Sequence, residues 1–182
     1  MFSRTHWQIE TESLPGAHRA PLQLKLTIIF RLMPIKIVEL HHHGIRIGTK
    51  PEELEQARRF YTEVLGLQSD PQRPDIPGIP GFWMYVGQDH RTTQIHLLGA
   101  VGRSPVARSD KEDPTLPHVA LAVENIEETR EELKRLGVWH WSVKGLAGPR
   151  SDQVFIQDPF GNVIELHQVG SCTCNKSALD GT

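Results

Sequence analysis

The chain has 182 residues, of which 38% are hydrophobic and 23% charged, with a formal net charge of −2. That length suits one ordinary domain or two small fused modules, and the composition excludes wholesale disorder. The near-neutral charge argues against a nucleic-acid partner, which would need a basic face.

Residues 1–33 read as an N-terminal extension outside the main fold. Met1–Pro21 is polar and irregular. Leu22–Met33 is apolar, but it is too short to span a bilayer and is broken by Lys25 and Arg31. It has no clear small-residue cleavage site, so a secretory signal is not expected. Repeat-like order starts at Ile35, and the working protein is expected to begin near Met33.

A first unit, residues 34–98, opens with an extended stretch, Ile35–Ile47. Thr49 and Glu52 have capping-box spacing and Pro51 falls in the first turn, so a helix is expected over about Pro51–Leu65, stopped by Gly66. Ser69–Gly81 is rich in Pro and Gly and reads as a loop. Phe82–Val86 and Thr93–Leu98 read as strands joined by a turn at Gly87–Arg91. Residues 99–116 are polar and serve as a linker.

The second unit, residues 117–169, repeats the order. Strand Val119–Val123 leads to Asn125 and Glu128, again at capping spacing, and a helix runs to about Leu136, where Gly137 stops it. Val138–Val143, Gln153–Gln157 and Val163–Gln168 follow as strands. Asp158–Asn162 makes the last turn. Residues 170–182 read as a small, polar tail. Cys172 and Cys174 lie in it, separated by one residue. A bridge between them would be strained, which favours a reducing compartment and a cytoplasmic location. Both units therefore read β-α-β-β-β, an α+β pattern with an internal repeat and mostly antiparallel strands.

The repeat brings out a chemical pattern. Pro117–Val123 alternates so that Val119, Leu121 and Val123 share one face, while His118, Ala120 and Ala122 share the other. His42-His43-Gly44-Ile45-Arg46-Ile47 follows the same rule, with His42 and Gly44 in the places of His118 and Ala120. In the last strands, Ile95-His96-Leu97 falls on Ile164-Glu165-Leu166. His42, His96, His118 and Glu165 thus stand at matched points of a repeat. Three imidazoles and one carboxylate form a usable donor set for Zn²⁺, Ni²⁺, Fe²⁺, Co²⁺ or Mn²⁺. A buried carboxylate facing imidazoles would also be costly without a cation. Strand histidines are more often plain hydrogen-bonded residues, and only the matched placement sets these apart. Trp83 and Tyr85 share a strand face and are candidate substrate contacts. Arg150, in the loop before Gln153, is a candidate clamp for an anionic group.

Leu40–Ile47, the helix end Phe60-Tyr61-Thr62-Glu63-Val64-Leu65-Gly66-Leu67, Pro117–Val123 and Asp158-Pro159-Phe160-Gly161-Asn162-Val163-Ile164-Glu165-Leu166 together resemble the vicinal oxygen chelate superfamily. That group includes glyoxalase I, extradiol dioxygenases, methylmalonyl-CoA epimerase and the bleomycin-resistance proteins. The resemblance covers about residues 36–169. It implies two βαβββ modules cupped around one divalent metal, with His42, His96, His118 and Glu165 as ligands and a homodimer as the assembly. It points first to a metal-dependent lyase or isomerase resembling glyoxalase I. Such an enzyme would act on adjacent substrate oxygens through a metal-stabilised enediolate, with Glu165 or His96 as base and glutathione as a potential co-substrate. The alternative is an Fe²⁺-dependent ring-cleaving dioxygenase using His42, His118 and Glu165. A non-catalytic small-molecule binder of the bleomycin-resistance type is the third reading, and four metal-type donors count against it.

Overall fold

The computed structural model describes residues 35–87 and 93–171. The expectations for the N-terminal extension up to residue 34, most of the Gly87–Arg91 turn, the cysteine pair and the tail beyond residue 171 lie outside these residues.

The first module runs β1 (Ile37–Ile47), α1 (Pro51–Arg59), a π-helical turn over Phe60–Val64, β2 (Gln68–Ser69), β3 (Gly81–Tyr85) and β4 (Gln94–Gly99). The second runs β5 (His118–Val123), α2 (Ile126–Arg135), β6 (His140–Lys144), β7 (Asp152–Gln157) and β8 (Val163–Gln168). The fold is α+β, built as two βαβββ modules that share one eight-stranded sheet in the order β2-β3-β4-β1-β5-β8-β7-β6. Within each module the first and last strands pair in parallel, β1 with β4 and β5 with β8. The modules join where β1 meets β5 antiparallel. The remaining neighbours are antiparallel.

Both helices start and stop for local reasons. Asn125 Oδ1 accepts from the N–H groups of Glu127 and Glu128 at 3.0 and 3.2 Å, capping α2 as its spacing predicts. At α1 the cap falls one residue later than Thr49. Lys50 holds the cap position, its N–H donates to Glu53 Oε2 at 3.1 Å, and Pro51 takes the first turn. Gly66 and Gly137 end the two helical segments with φ of 69° and 67°, a conformation that disfavours residues with a Cβ. The second strand of the first module is the two-residue β2, which lies at the start of the stretch read as a loop. It pairs with Tyr85 and Met84. Two residues are too few to show any periodicity.

The sheet has two different faces. On the helix side of the second module, Val123, Ile126, Leu133, Val154 and Leu166 form a buried cluster. Alternation carries the other residues to the opposite, cupped face. There the register sets two neighbouring rows across the strands. One row is Tyr85–Gln94–His42–Ala120–Glu165–Phe155–Trp141 and the next is Trp83–His96–Gly44–His118–Val163. Every donor found by the repeat falls in these two rows. Trp141 also lies there, stacked on Phe155 with centroids 5.2 Å apart, whereas Trp139 is exposed and precedes β6.

Candidate metal centre

His42, His118 and Glu165 converge at the middle of the cupped face, one donor on each of β1, β5 and β8. His42 Nε2 lies 3.2 Å from His118 Nε2, and Glu165 Oε2 is 3.6 Å from the first and 3.4 Å from the second. One ligand atom from each residue falls within 4.8 Å of the other two. All three side chains are almost wholly buried.

The backbone makes room for this. His42 and Glu165 flank Ala120, whose small side chain leaves the space between them open. Gly44 sits beside His118 in the register, and a Cβ on Gly44 would come within 2.2 Å of the His118 ring. His118 can occupy its position only because residue 44 is glycine.

Groups behind the donors fix their orientation. His118 Nδ1–H donates to the Leu116 carbonyl at 2.6 Å, which leaves the Nε2 lone pair facing the centre. Glu165 Oε1 accepts from Gln153 Nε2 at 2.9 Å and from His167 Nδ1 at 3.2 Å. His42 Nδ1 meets His41 Nδ1 at 2.9 Å. Electrostatics match this arrangement. Burial drives the His42 imidazole well below its usual pKa, so it is neutral with a free lone pair. Burial works against the Glu165 charge, but the facing histidines hold its pKa well below the carboxylate range. The His118 pKa is raised: burial opposes its charge, and the Glu165 carboxylate outweighs that. An ionised carboxylate facing two imidazoles in a dry site is a donor set suited to a divalent cation, which would balance the charge without a proton on His118.

His96 lies in the same cavity but is held to one side. Its ring stacks on His42 at 3.8 Å and on Trp83 at 4.3 Å, nearly parallel in both cases. Its Nε2–H donates to Gln94 Oε1 at 2.9 Å, and Gln94 Nε2 donates in turn to Asp70 Oδ2. Trp83 lines the cavity, and its indole N–H is buried without a partner. Tyr85 sits one row away, half-buried, with its phenol pushed up to about 12 by burial and by Asp70. Arg150 is exposed in the β6–β7 loop, whose Leu146, Ala147 and Ser151 line the cavity instead.

Sequence reasoning did not pick out His41, His167 or Gln153. His167 was within reach, because alternation puts it on the face of Glu165 two residues earlier. His41 was hidden by a β-bulge. The register slips between Leu40 and His42, so the inserted His41 is buried next to His42 instead of facing away.

Besides the polar donors, the cavity is lined by apolar Ile76, Ile79, Leu98 and Leu146, which pack together as one cluster. Among the described residues, no lysine or arginine lines it. Its open space is about 40 Å³, enough for an ion and a few waters.

Comparison with known proteins agrees with this architecture. The family model of the Glyoxalase/Bleomycin resistance protein/Dioxygenase superfamily matches residues 40–166, and the chain belongs to that superfamily. Among solved structures, a hypothetical protein of Bacillus halodurans C-125 is similar at 25% identity and a TM-score of 0.53, covering 71% of this chain and 93% of its own. Methylmalonyl-CoA epimerase of Mycobacterium tuberculosis gives 21%, a TM-score of 0.55, and coverage of 76% and 93%. Homoprotocatechuate 2,3-dioxygenase of Arthrobacter globiformis gives 20%, a TM-score of 0.51, and coverage of 74% and 37%. At these identities the last two show the fold alone. No curated protein matches the chain. No helix among the described residues is long and apolar enough to cross a membrane.

Proposed function

We propose that the protein is a divalent-metal-dependent enzyme that holds a small substrate through two adjacent oxygens, and that ring-cleaving oxygenation with Fe²⁺ is the reaction class its geometry supports best. The observation that carries this is the set of three donors, His42, His118 and Glu165, with His96 committed to Gln94. Two histidines and one carboxylate on one side of an ion leave positions free for two substrate oxygens and a further ligand. When bound, the metal would supply Lewis-acid and redox chemistry at those positions.

The chain's own residues do the rest. His42, His118 and Glu165 hold the ion, with Leu116 and Gln153 fixing their orientation. Trp83 and His96, stacked on each other and on His42, close one side of the cavity. Ile76, Ile79, Leu98 and Leu146 exclude water and favour an apolar substrate body. The absence of lysine and arginine from the described lining disfavours glutathione as co-substrate and disfavours Arg150 as an anion clamp.

The order of the readings is thus the reverse of the one drawn from sequence. Isomerase chemistry remains the second reading, because the same ion could bind adjacent oxygens while a base removes a carbon-bound proton. Glu165 is poorly suited to that role. Its Oε1 is held by Gln153 and His167, and its Oε2 faces the two ligand histidines. His96, the other candidate base, is weakened because burial drives its pKa well below the usual value. A homodimer and a cytoplasmic location are kept as parts of the proposal.

The test is Fe²⁺ loading followed by a panel of catechols, with oxygen uptake and ring-opened product as readouts, run beside methylglyoxal with glutathione. Oxygen consumption on a catechol supports the reading. Isomerisation without oxygen use would restore the lyase/isomerase reading, and a protein that takes up no metal would leave the small-molecule binder.

A further inference from the structure

The three donors are not backed in the same way. His118 has the common arrangement, in which Nδ1–H donates to a backbone carbonyl. Glu165 is held by Gln153 and His167. His42 has neither a carbonyl nor a carboxylate at Nδ1. It has the neighbouring imidazole of His41, nitrogen to nitrogen at 2.9 Å, with both rings buried.

Two ring nitrogens at that distance can share one proton. One must donate and the other must accept. The direction follows from the far side of His42. Its Nε2 faces His118 Nε2 and Glu165 Oε2, the position from which it would bind a cation through a lone pair. The proton of a neutral His42 then belongs on Nδ1 and points at His41 Nδ1. His41 must carry its own proton on Nε2. The His41 ring is fixed in this pose, packed edge-on against His167 with centroids 4.3 Å apart.

We infer that His41 is a positioning residue that locks His42 in the Nδ1–H tautomer and so presents its Nε2 lone pair to the centre. The β-bulge at Leu40–His42 has a function on this account. Without it, residue 41 would point to the opposite face and His42 would lack an acceptor. The contact between the two rings stands on the geometry alone; the direction of the shared proton and the effect on metal affinity both rest on the metal-site reading.

The experiment is ¹⁵N NMR of the histidine rings in the full chain near pH 7, without and with Zn²⁺, beside Zn²⁺ titration against a chromophoric chelator. The expected wild-type result with Zn²⁺ bound is a single Nδ1–H tautomer at His42. His41→Leu fills the space with no acceptor. It is expected to give a mixed or Nε2–H tautomer at His42 and to weaken Zn²⁺ binding about 10–100-fold. His41→Asn restores an acceptor oxygen and is expected to recover most of both signals, which a loss of packing alone would not do. An Nε2–H tautomer at His42 in Zn²⁺-bound wild type would overturn the inference, and that readout needs no variant to fold. An unchanged tautomer in a folded His41→Leu would also overturn it. A wild-type chain that fails to bind Zn²⁺ would overturn the metal reading, whereas one that binds Zn²⁺ with the His42 proton on Nε2 would overturn the positioning role alone.

Discussion

The two modules share one topology and differ in how they hold their helices. Helix α2 buries Ile126, Thr129, Arg130 and Leu133, and it packs on Val123, Val154 and Leu166 from the strands beneath. Helix α1 buries no residue. The segment after it leaves Phe60 half exposed and Val64 69% exposed. Its local support is electrostatic, with Glu55 paired to Arg58 and Arg59 on an open surface, where such pairs contribute little. The division extends to the centre. The second module supplies His118, Glu165 and the groups behind Glu165, while the first supplies His42 with the stacked rings of His96 and Trp83 beside it. The repeat thus keeps one chain path while holding one helix by a buried face and leaving the other at the surface.

The largest expected effect breaks this contrast directly. Leu133→Ala removes a fully buried side chain beneath α2 and should cost about 2–5 kcal/mol in chemical denaturation. Val64→Ala, after α1, should stay within about 0.5 kcal/mol. Equal costs would show that the two helices are held alike.

Gly44→Ala comes next, because it is a first-module change aimed at a second-module donor. The added methyl needs the space of the His118 ring. Zn²⁺ affinity should fall at least tenfold while the protein still unfolds cooperatively, as read by chelator competition and thermal melting. Unchanged affinity would mean that His118 does not need the place seen here.

Acid should weaken the half around His41. Burial and the neighbouring His167 lower the His41 pKa to about 3, from an ordinary 6.5. The unfolded chain therefore takes up the proton first. The stability this residue contributes is whole above about pH 6.5 and is lost as the pH falls toward 3. His42 shifts in the same direction, and Glu165 adds a further loss below its ordinary 4.5, while the raised His118 opposes them. His41→Leu should flatten part of the slope of melting temperature against pH between 6.5 and 3. The same slope in both proteins would contradict this assignment.

The smallest effect concerns the caps. Asn125→Ala removes the acceptor for two helix N–H groups and should cost about 1 kcal/mol. Thr49→Ala should cost less, because Thr49 is not the cap of α1.

Much of this was legible in the sequence for a simple reason. A strand repeats every two residues, so once His42, His118, His96 and Glu165 were matched across the repeat, their common face followed. What alternation cannot show is where it fails. The bulge at Leu40–His42 buries two successive histidines, and no pattern in the His41-His42-His43 run marks which residue is inserted. His96 shows a second limit. It lies on the expected face and in the expected row, but ring stacking and Gln94 decide where its Nε2 points, and side-chain partners of this kind cannot be read from spacing. Gln153 reaches Glu165 from a neighbouring strand, a relation visible only in the register. Trp139 and Trp141 both fall in the strand expected over Val138–Val143, and they separate because β6 starts one residue after Trp139.

The central claim is that β1, β5 and β8 bring His42, His118 and Glu165 together around one divalent cation shared by the two modules. Elemental analysis of the wild-type chain beside Glu165→Gln and His42→Ala, after purification without chelators and with metal supplied, tests it most directly. The account predicts about one metal per wild-type chain and its loss in both variants, although the altered residues lie in different modules. A metal-free wild-type chain, or a variant that keeps its full metal content, would contradict it.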